Sequence, residues 1–496
     1  MKKKMTFLLA GVLAVSQLTS CGNKTEEVKK EGSVELADVA MLNVEIGENY
    51  NWYGSDNGSA TGVYYDVPIV KLGEEDAKKY PELVKSITDL NKEKKSSLEE
   101  DIKSFKERTR VERFNTVGIY EEANLRRADE NVLSLLFERY EDDNKDYKYS
   151  YSGVVFDVKT GKKLGISDIV KDTGKLPELI QAQFNEFYGS EFDGDIDNAP
   201  WVLDYNGITF MLDESVVVTV PYEGNEDIFN DKYFGVGGGY TAELINSQPF
   251  YYDTDGDGKL NMIMVSGDKE DEDYAYDEVL LKVDNDVYTE EMYSFDIDPL
   301  FVHTKDGKNY IYHMNELEND DAAIWVYNIN KNVIEYVDVV PLGYMSNYYD
   351  NDNDDFYDDD DYFTETKITD PEAFWLETGT DVLSTLTGSE PYTVGKNGMP
   401  ESTDDGFFEF SEGHELTLKR DLEVEIVDDA SGNITGKATV KSGETVIYFR
   451  TDGKTKADLK LSDGRIGRVT LMNDEWPETI DGVEVEDIFD GVFWAG

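Results

Sequence analysis

One cysteine in 496 residues, Cys21, removes the disulfide from the ways this chain can hold itself together. A bridge needs two thiols. Every folded part must therefore rest on apolar burial, hydrogen bonds and, where oxygen ligands cluster, bound metal. The material for burial is present: hydrophobic residues make up 39% and aromatics 12%, with 32 tyrosines and 23 phenylalanines. That excludes a disordered acidic chain. The length suggests several domains. Asp plus Glu number 106 against 47 Lys plus Arg, a formal net charge of -59. Such a surface repels nucleic acid and anionic lipid head groups. It attracts cations, from calcium ions to basic proteins, and it also keeps a protein soluble.

The first residues read as a secretory signal. Lys2-Lys3-Lys4 precede an apolar run from Phe7 to Val15, too short for a membrane span. The run leads into Leu18-Thr19-Ser20-Cys21, which resembles the lipobox of bacterial lipoproteins. The resemblance implies a signal peptide over 1–20 and acylation of Cys21 as the mature N-terminus. It places the protein, lipid-anchored and extracytoplasmic, at the bacterial cell surface or envelope. Residues 21–40 are polar and read as a flexible tether. No second apolar run approaches membrane-spanning length, so the membrane contact expected is the N-terminal lipid alone.

Residues 41–250 read as an α+β domain. In Pro81 to Glu112, Leu83, Ile87 and Leu90 share one helical face, as do Leu98, Ile102 and Phe105. Ser96-Ser97-Leu98-Glu99-Glu100 has the form of a capping box, which marks a place for a break near Lys94. Val132, Leu135, Leu136 and Arg139 recur at helical spacing and predict a second helix over Asn131–Tyr140. A strand is expected over Tyr151–Val158, a helix over Leu176–Tyr188, and a hairpin from Trp201–Leu212 with Val216–Tyr222.

Three segments of this region carry a family resemblance: Arg127-Ala128-Asp129-Glu130-Asn131-Val132-Leu133-Ser134, Phe156-Asp157-Val158-Lys159-Thr160-Gly161-Lys162-Lys163-Leu164 and Ile166-Ser167-Asp168-Ile169-Val170. Together they resemble the extracytoplasmic domain shared by lysozyme-sensing anti-sigma factors and the N-terminal part of some peptidoglycan deacetylases. The resemblance implies a cationic, lysozyme-like ligand. The chain departs from the anti-sigma pattern in having no transmembrane span with a cytoplasmic sigma-binding segment. It departs from the deacetylases in having no appended domain with metal-binding histidines.

Residues 251–405 read as an acidic β-rich domain. Short strands are expected at 260–266, 279–283, 310–314, 324–329 and 333–340. Asp350–Asp361 carries Asp at eight of twelve positions and reads as a solvated loop. Residues 406–496 show the order strand, Gly-Glu turn, strand, Asp-Gly-Arg turn, strand, which resembles a bacterial SH3-like barrel. Wall-binding versions tend to carry an aromatic after the glycine, where this chain has Gly467-Arg468. The expected fold is thus multidomain: an α+β domain, a β-rich domain with a calcium loop, and a small SH3-like β-barrel.

The calcium loop is Asp253-Thr254-Asp255-Gly256-Asp257-Gly258-Lys259-Leu260-Asn261. Carboxylates at alternate positions converge when a chain curls round a hard cation, and Gly258 permits the turn. Asp253, Asp255 and Asp257, the carbonyl of Lys259 and the side chain of Asn261 are the expected ligands, with a water or Asp268 completing the shell. Met264 stands where an EF-hand has its bidentate glutamate, and a strand follows instead of a helix. The loop therefore resembles the calcium loops of integrin-type propeller blades.

Enzyme signatures are scarce. His303, His313 and His414 form no ligand pair, and no Gly-x-Ser-x-Gly elbow is present. Gly235-Val236-Gly237-Gly238-Gly239 lacks the lysine of a phosphate loop. The chain is read as a binding or sensing protein rather than an enzyme, calcium-stabilised and recognising a cationic protein or a cell-wall component. The alternatives are a structural envelope protein and a glycan or cell-wall hydrolase.

Overall fold

Val63, Tyr65 and Val67 are buried while Tyr64 and Asp66 are half-exposed, the period-two signature of a strand. This strand, β2 (Gly62–Leu72), lies beside β1 (Val44–Gly54) in a six-stranded sheet. The computed structural model describes residues 38–496 apart from 55–61, 113–115, 143–146, 235–236, 269–274, 295–296, 317–321, 342–343, 347–361, 430, 473–475 and 495–496. Cys21, the 1–20 signal, most of the 21–40 tether and the whole acidic run at 350–361 lie outside the described residues. Residues 36–496 cluster as one unit.

After β2 the chain forms two helices, α1 (Glu74–Lys79) and α2 (Pro81–Glu112), and returns as β3 (Thr116–Ala128). β2 and β3 are parallel, and their pairing runs only from Gly62–Thr116 to Asp66–Tyr120. β4 (Val132–Asp142) and β5 (Tyr147–Asp157) extend the sheet antiparallel. α2 covers one face. Its Leu83, Ile87 and Leu90 pack with Leu125, Leu133, Leu135 and Phe137, and its Leu98 and Ile102 pack with Val63, Tyr65 and Val67. Burying each such side chain contributes roughly 1.5–3 kcal/mol. The helix runs unbroken through Lys94. Ser96 and Ser97 are exposed helical residues, so the capping-box pattern there starts nothing.

The helix expected over Asn131–Tyr140 is strand β4. Its first seven residues are all buried. Leu133, Leu135 and Phe137 face α2. Val132 joins the cluster of the helix Leu176–Tyr188, and Leu136 packs with Val202, Met211 and Val217. A strand covered on both sides is a continuous apolar run, and such a run mimics helical spacing.

The four-stranded sheet built from Phe250–Tyr252, Asn261–Asp268, Tyr276–Val283 and Asp286–Ser294 shares one apolar cluster with a five-stranded sheet. That second sheet holds Tyr240–Glu243, Ile297–His303, Asn309–Glu316, Ala322–Asn328 and Glu335–Pro341. Two pairings tie distant parts of the sequence together. The strand Tyr362–Lys367 forms the edge of the first sheet beside β1, and Tyr240–Glu243 pairs with Ile297–His303.

The strands expected near the C-terminus are present as Thr445–Thr451 and Lys456–Lys460. They belong to an eleven-stranded sheet that begins at Tyr344–Ser346 and also takes in Phe374–Val382 and Ser384–Val394. Arg468 holds Asp458 with two hydrogen bonds of 2.6 and 2.8 Å, and Arg450 reaches the same carboxylate at 2.8 Å. Arg468 thus has a structural role where an aromatic was the alternative. The protein is mainly β, in several sheets. Among the described residues no helix is long and apolar enough to cross a membrane.

Candidate functional site

The loop 253–261 joins the first two strands of the four-stranded sheet. Gly256 and Gly258 have φ of +73° and +86°. A Cβ at either would meet nothing within 4 Å, so glycine is required for the backbone's sense of turn and not for space. The curl aims N–H groups inward. Gly256, Asp257 and Gly258 donate to the Asp253 carboxylate at 2.7, 3.2 and 2.8 Å. Asp257 donates to Asp255 Oδ1 at 3.1 Å, and Lys259 donates to Asp257 Oδ1 at 2.8 Å. One carboxylate oxygen each from Asp253, Asp255 and Asp257 lies within 4.8 Å of the other two. Two oxygens on a common calcium ion, each about 2.3–2.6 Å from it, can be no farther apart than about 5 Å. The three aspartates are therefore close enough together to share one hard cation.

Asn261 occupies a different position from the one expected. Its Oδ1 accepts from the Thr254 N–H at 2.9 Å and from the Thr254 hydroxyl at 3.0 Å, and its Nδ2 donates to Asp284 at 2.8 Å. This buried carboxamide braces the base of the loop instead of facing the aspartates. Lys259 contributes the N–H to Asp257 described above. Asp268 stands at the far end of the strand that Asn261 begins, about 20 Å away at the rise of a strand.

Two residues outside the loop, Asp284 and Asn332, complete the frame, and loop spacing could not reveal them. Asp284 accepts from the Met262 N–H at 2.8 Å, Asn332 Nδ2 donates to Asp255 at 3.1 Å, and the Thr254 hydroxyl bonds Asn332. Asn332 lies in the connection between two strands of the five-stranded sheet, so the acidic loop is fastened to both sheets. Their sequence separation from the loop hid them.

A second concave site lies between the first sheet and the five-stranded sheet, with a volume of about 450 Å³. Glu121, Glu122, Glu138, Glu243, Asp298 and Lys367 line it. Lys367 pairs with Glu243 at 3.0 Å. Glu138 accepts from Asn124 at 3.1 Å and from the Tyr149 hydroxyl. Burial pushes its carboxyl up to about 7, with Glu122 adding to the shift and the Tyr149 bond opposing it. Between the ordinary carboxyl range and that value, folding keeps a proton that the unfolded chain releases. Stability is therefore lost as pH rises toward 7. Glu138→Gln, which mimics the protonated form, should be more stable than the wild type by about 2 kcal/mol at pH 8 and equal to it below pH 4.5. Denaturant titrations at the two pH values check this, and a pH-independent difference would refute it.

The histidines are apart. His303 approaches Tyr252 and Asn309, His414 bonds the Gly491 carbonyl at 2.6 Å, and His313 is enclosed within the five-stranded sheet. Among the described residues the only cluster of histidine, cysteine or carboxylate groups spaced for a metal is the aspartate triplet.

No known family matches the sequence, and no curated protein matches it. Weak likenesses to solved structures exist, two of which are as follows. One is a member of the DUF3298 family from Bacteroides fragilis, at 13% identity and a TM-score of 0.29, covering 39% of this chain and 95% of that one. The other is a DUF3298 family protein from Pseudomonas aeruginosa, at 11% identity and a TM-score of 0.29, covering 39% and 97%.

Proposed function

We propose that this chain is a lipid-anchored, extracytoplasmic binding or sensing protein, held at Cys21, braced by calcium at Asp253, Asp255 and Asp257, and built to receive a cationic protein. The observation that carries this reading is the charge: 106 acidic residues against 47 basic ones on a chain with extensive β-structure. The cavity lined by Glu122, Glu138 and Asp298 offers lysine or arginine side chains of a partner a place to enter. The family resemblance makes lysozyme the sharpest version of the ligand. The 406–496 segment, read as an SH3-like barrel, would add contacts with the wall.

Charge alone would attract any basic protein, so specificity is the test. The protein should bind lysozyme more tightly than another protein of similar size and pI, and the preference should persist at physiological salt, where exposed charges are screened beyond about 8 Å. Equal binding of both, lost together at moderate salt, would reduce the acidity to a solvated surface.

The calcium part is tested separately. An ion that binds only the folded state stabilises it by about 2.7 kcal/mol at one hundred times its dissociation constant. Calcium should raise the melting temperature of the wild type, and Asp255→Ala should abolish the rise while leaving the protein folded. Identical melting with millimolar calcium and with chelator would end the proposal.

A hydrolase is the second reading, and Glu138 is the observation that favours it. A buried carboxyl with a pKa near neutrality beside other carboxylates is what a general acid requires.

A further inference from the structure

Carboxylates make up 106 of the 496 residues, so a concave site without any departs from the character of the chain. The groove between β2 and α2 is such a site. Its volume is about 440 Å³, and fifteen described residues line it. At the chain's average, about three of them would be acidic. None is, and four are lysines: Lys71, Lys92, Lys94 and Lys95. α2 itself carries eight basic and eight acidic residues, a neutral helix in a chain of charge -59.

The groove follows from the way the first sheet opens. β2 keeps β3 as a neighbour only as far as Asp66. Past that point the backbone of Val70 is satisfied by a side chain instead: Asn91 Nδ2 donates to its carbonyl at 2.8 Å, and its N–H donates to Asn91 Oδ1 at 3.2 Å. This amide pins the helix to the strand. The groove's walls come from both apolar clusters under α2, Val70 and Ile87 from one and Val67 and Leu98 from the other.

The lysines differ in their commitments. Lys94 is bonded to Glu121 and stands 3.6 Å from the centre of the Phe137 ring. Lys92 lies 4.0 Å from Asp89. Lys71 and Lys95 are exposed, and among the described residues neither has a carboxylate oxygen in ion-pair contact, although Glu45 stands opposite Lys71 in the β1–β2 register.

We propose that this groove binds a long-chain fatty acid, with the acyl chain between α2 and β2 and the carboxylate at Lys71 and Lys95. An apolar slot with unpaired ammonium groups and no carboxylate complements a molecule with an apolar tail and one anionic head. The volume falls within the roughly 300–1,000 Å³ of small-molecule sites. A bilayer is a poor occupant, because the surrounding charge of the chain repels anionic lipid surfaces.

The experiment uses the full chain and displacement of a fluorescent polyene fatty acid by oleate. Saturable binding is expected, with oleyl alcohol at least tenfold weaker because it lacks the charge. Lys71→Gln combined with Lys95→Gln should weaken oleate at least tenfold while leaving the protein folded, since both side chains are exposed and no like charge is brought opposite Glu45 or Glu99. Thr88→Trp, which places an indole at the exposed groove wall, should abolish binding of oleate. Absence of saturable oleate binding, equal affinity for oleyl alcohol, or an unaltered double variant would each overturn the proposal. Sedimentation with phosphatidylglycerol vesicles in the absence of monomeric oleate binding would overturn it in favour of a membrane surface. No acidic residue lines this groove, so its failure leaves the cationic-partner reading standing.

Discussion

Replacing Asp129 with alanine should lower the stability of the protein by about 3–5 kcal/mol. Arg127 and Asp129 are both fully buried and bonded at 2.6 Å. The guanidinium also donates to the Tyr233 carbonyl at 2.7 Å and lies over the Tyr205 ring, while its Nη2 has no partner. Asp129 shapes the turn between β3 and β4 through its other oxygen, which accepts from the N–H groups of Asn131 at 2.7 Å and Val132 at 3.1 Å. Alanine would strand a buried cation and release the turn together. The double variant Arg127→Met with Asp129→Leu should cost less than Asp129→Ala alone, because no charge is then left unpaired. Denaturant titration decides the matter. A loss below about 1 kcal/mol, or a double variant worse than the single one, would refute the account.

Acidification should unfold the protein partly through His313. The ring is fully buried and neither nitrogen has a partner. Burial alone holds its pKa down to about 4. The folded value lies below the unfolded one, so the unfolded chain binds the extra proton first. Stability present at pH 7 is therefore lost as pH falls from about 6.5 to about 4, by about 3 kcal/mol for this one group. His313→Leu removes the titration. Relative to that variant, the wild type should lose about 3 kcal/mol between pH 7 and pH 4, a comparison in which the many carboxylates cancel. A difference that stays constant over this range would show that the ring is not what titrates.

Much of the architecture was legible where one face of an element meets solvent. α2 and the helix Leu176–Tyr188 have the bounds that their apolar spacing predicts, because each has one buried stripe. β4 was misread because both its faces are covered, which erases the alternation. The acidic loop was legible in part. Alternating aspartates and two glycines encode their own convergence, whereas Asp284 and Asn332 act through tertiary contact. The motif Arg127 to Ser134, singled out for its resemblance, turns out to shape a buried turn. The groove lysines gave no signal in sequence, since their significance lies in which residues stand opposite them.

The pairing of β1 with Tyr362–Lys367 also sets an order of events. The hydroxyl of Thr369 bonds the carbonyl of Leu42, 327 residues earlier, at 2.8 Å. While the intervening chain is still unfolded, β1 waits for that partner. During this interval the β1 edge presents unpaired backbone groups, the template on which chains join wrongly. Such distant closure also slows folding, because the loop entropy is spent before the contact forms. The first strand among the described residues is thus among the last to find its final neighbour.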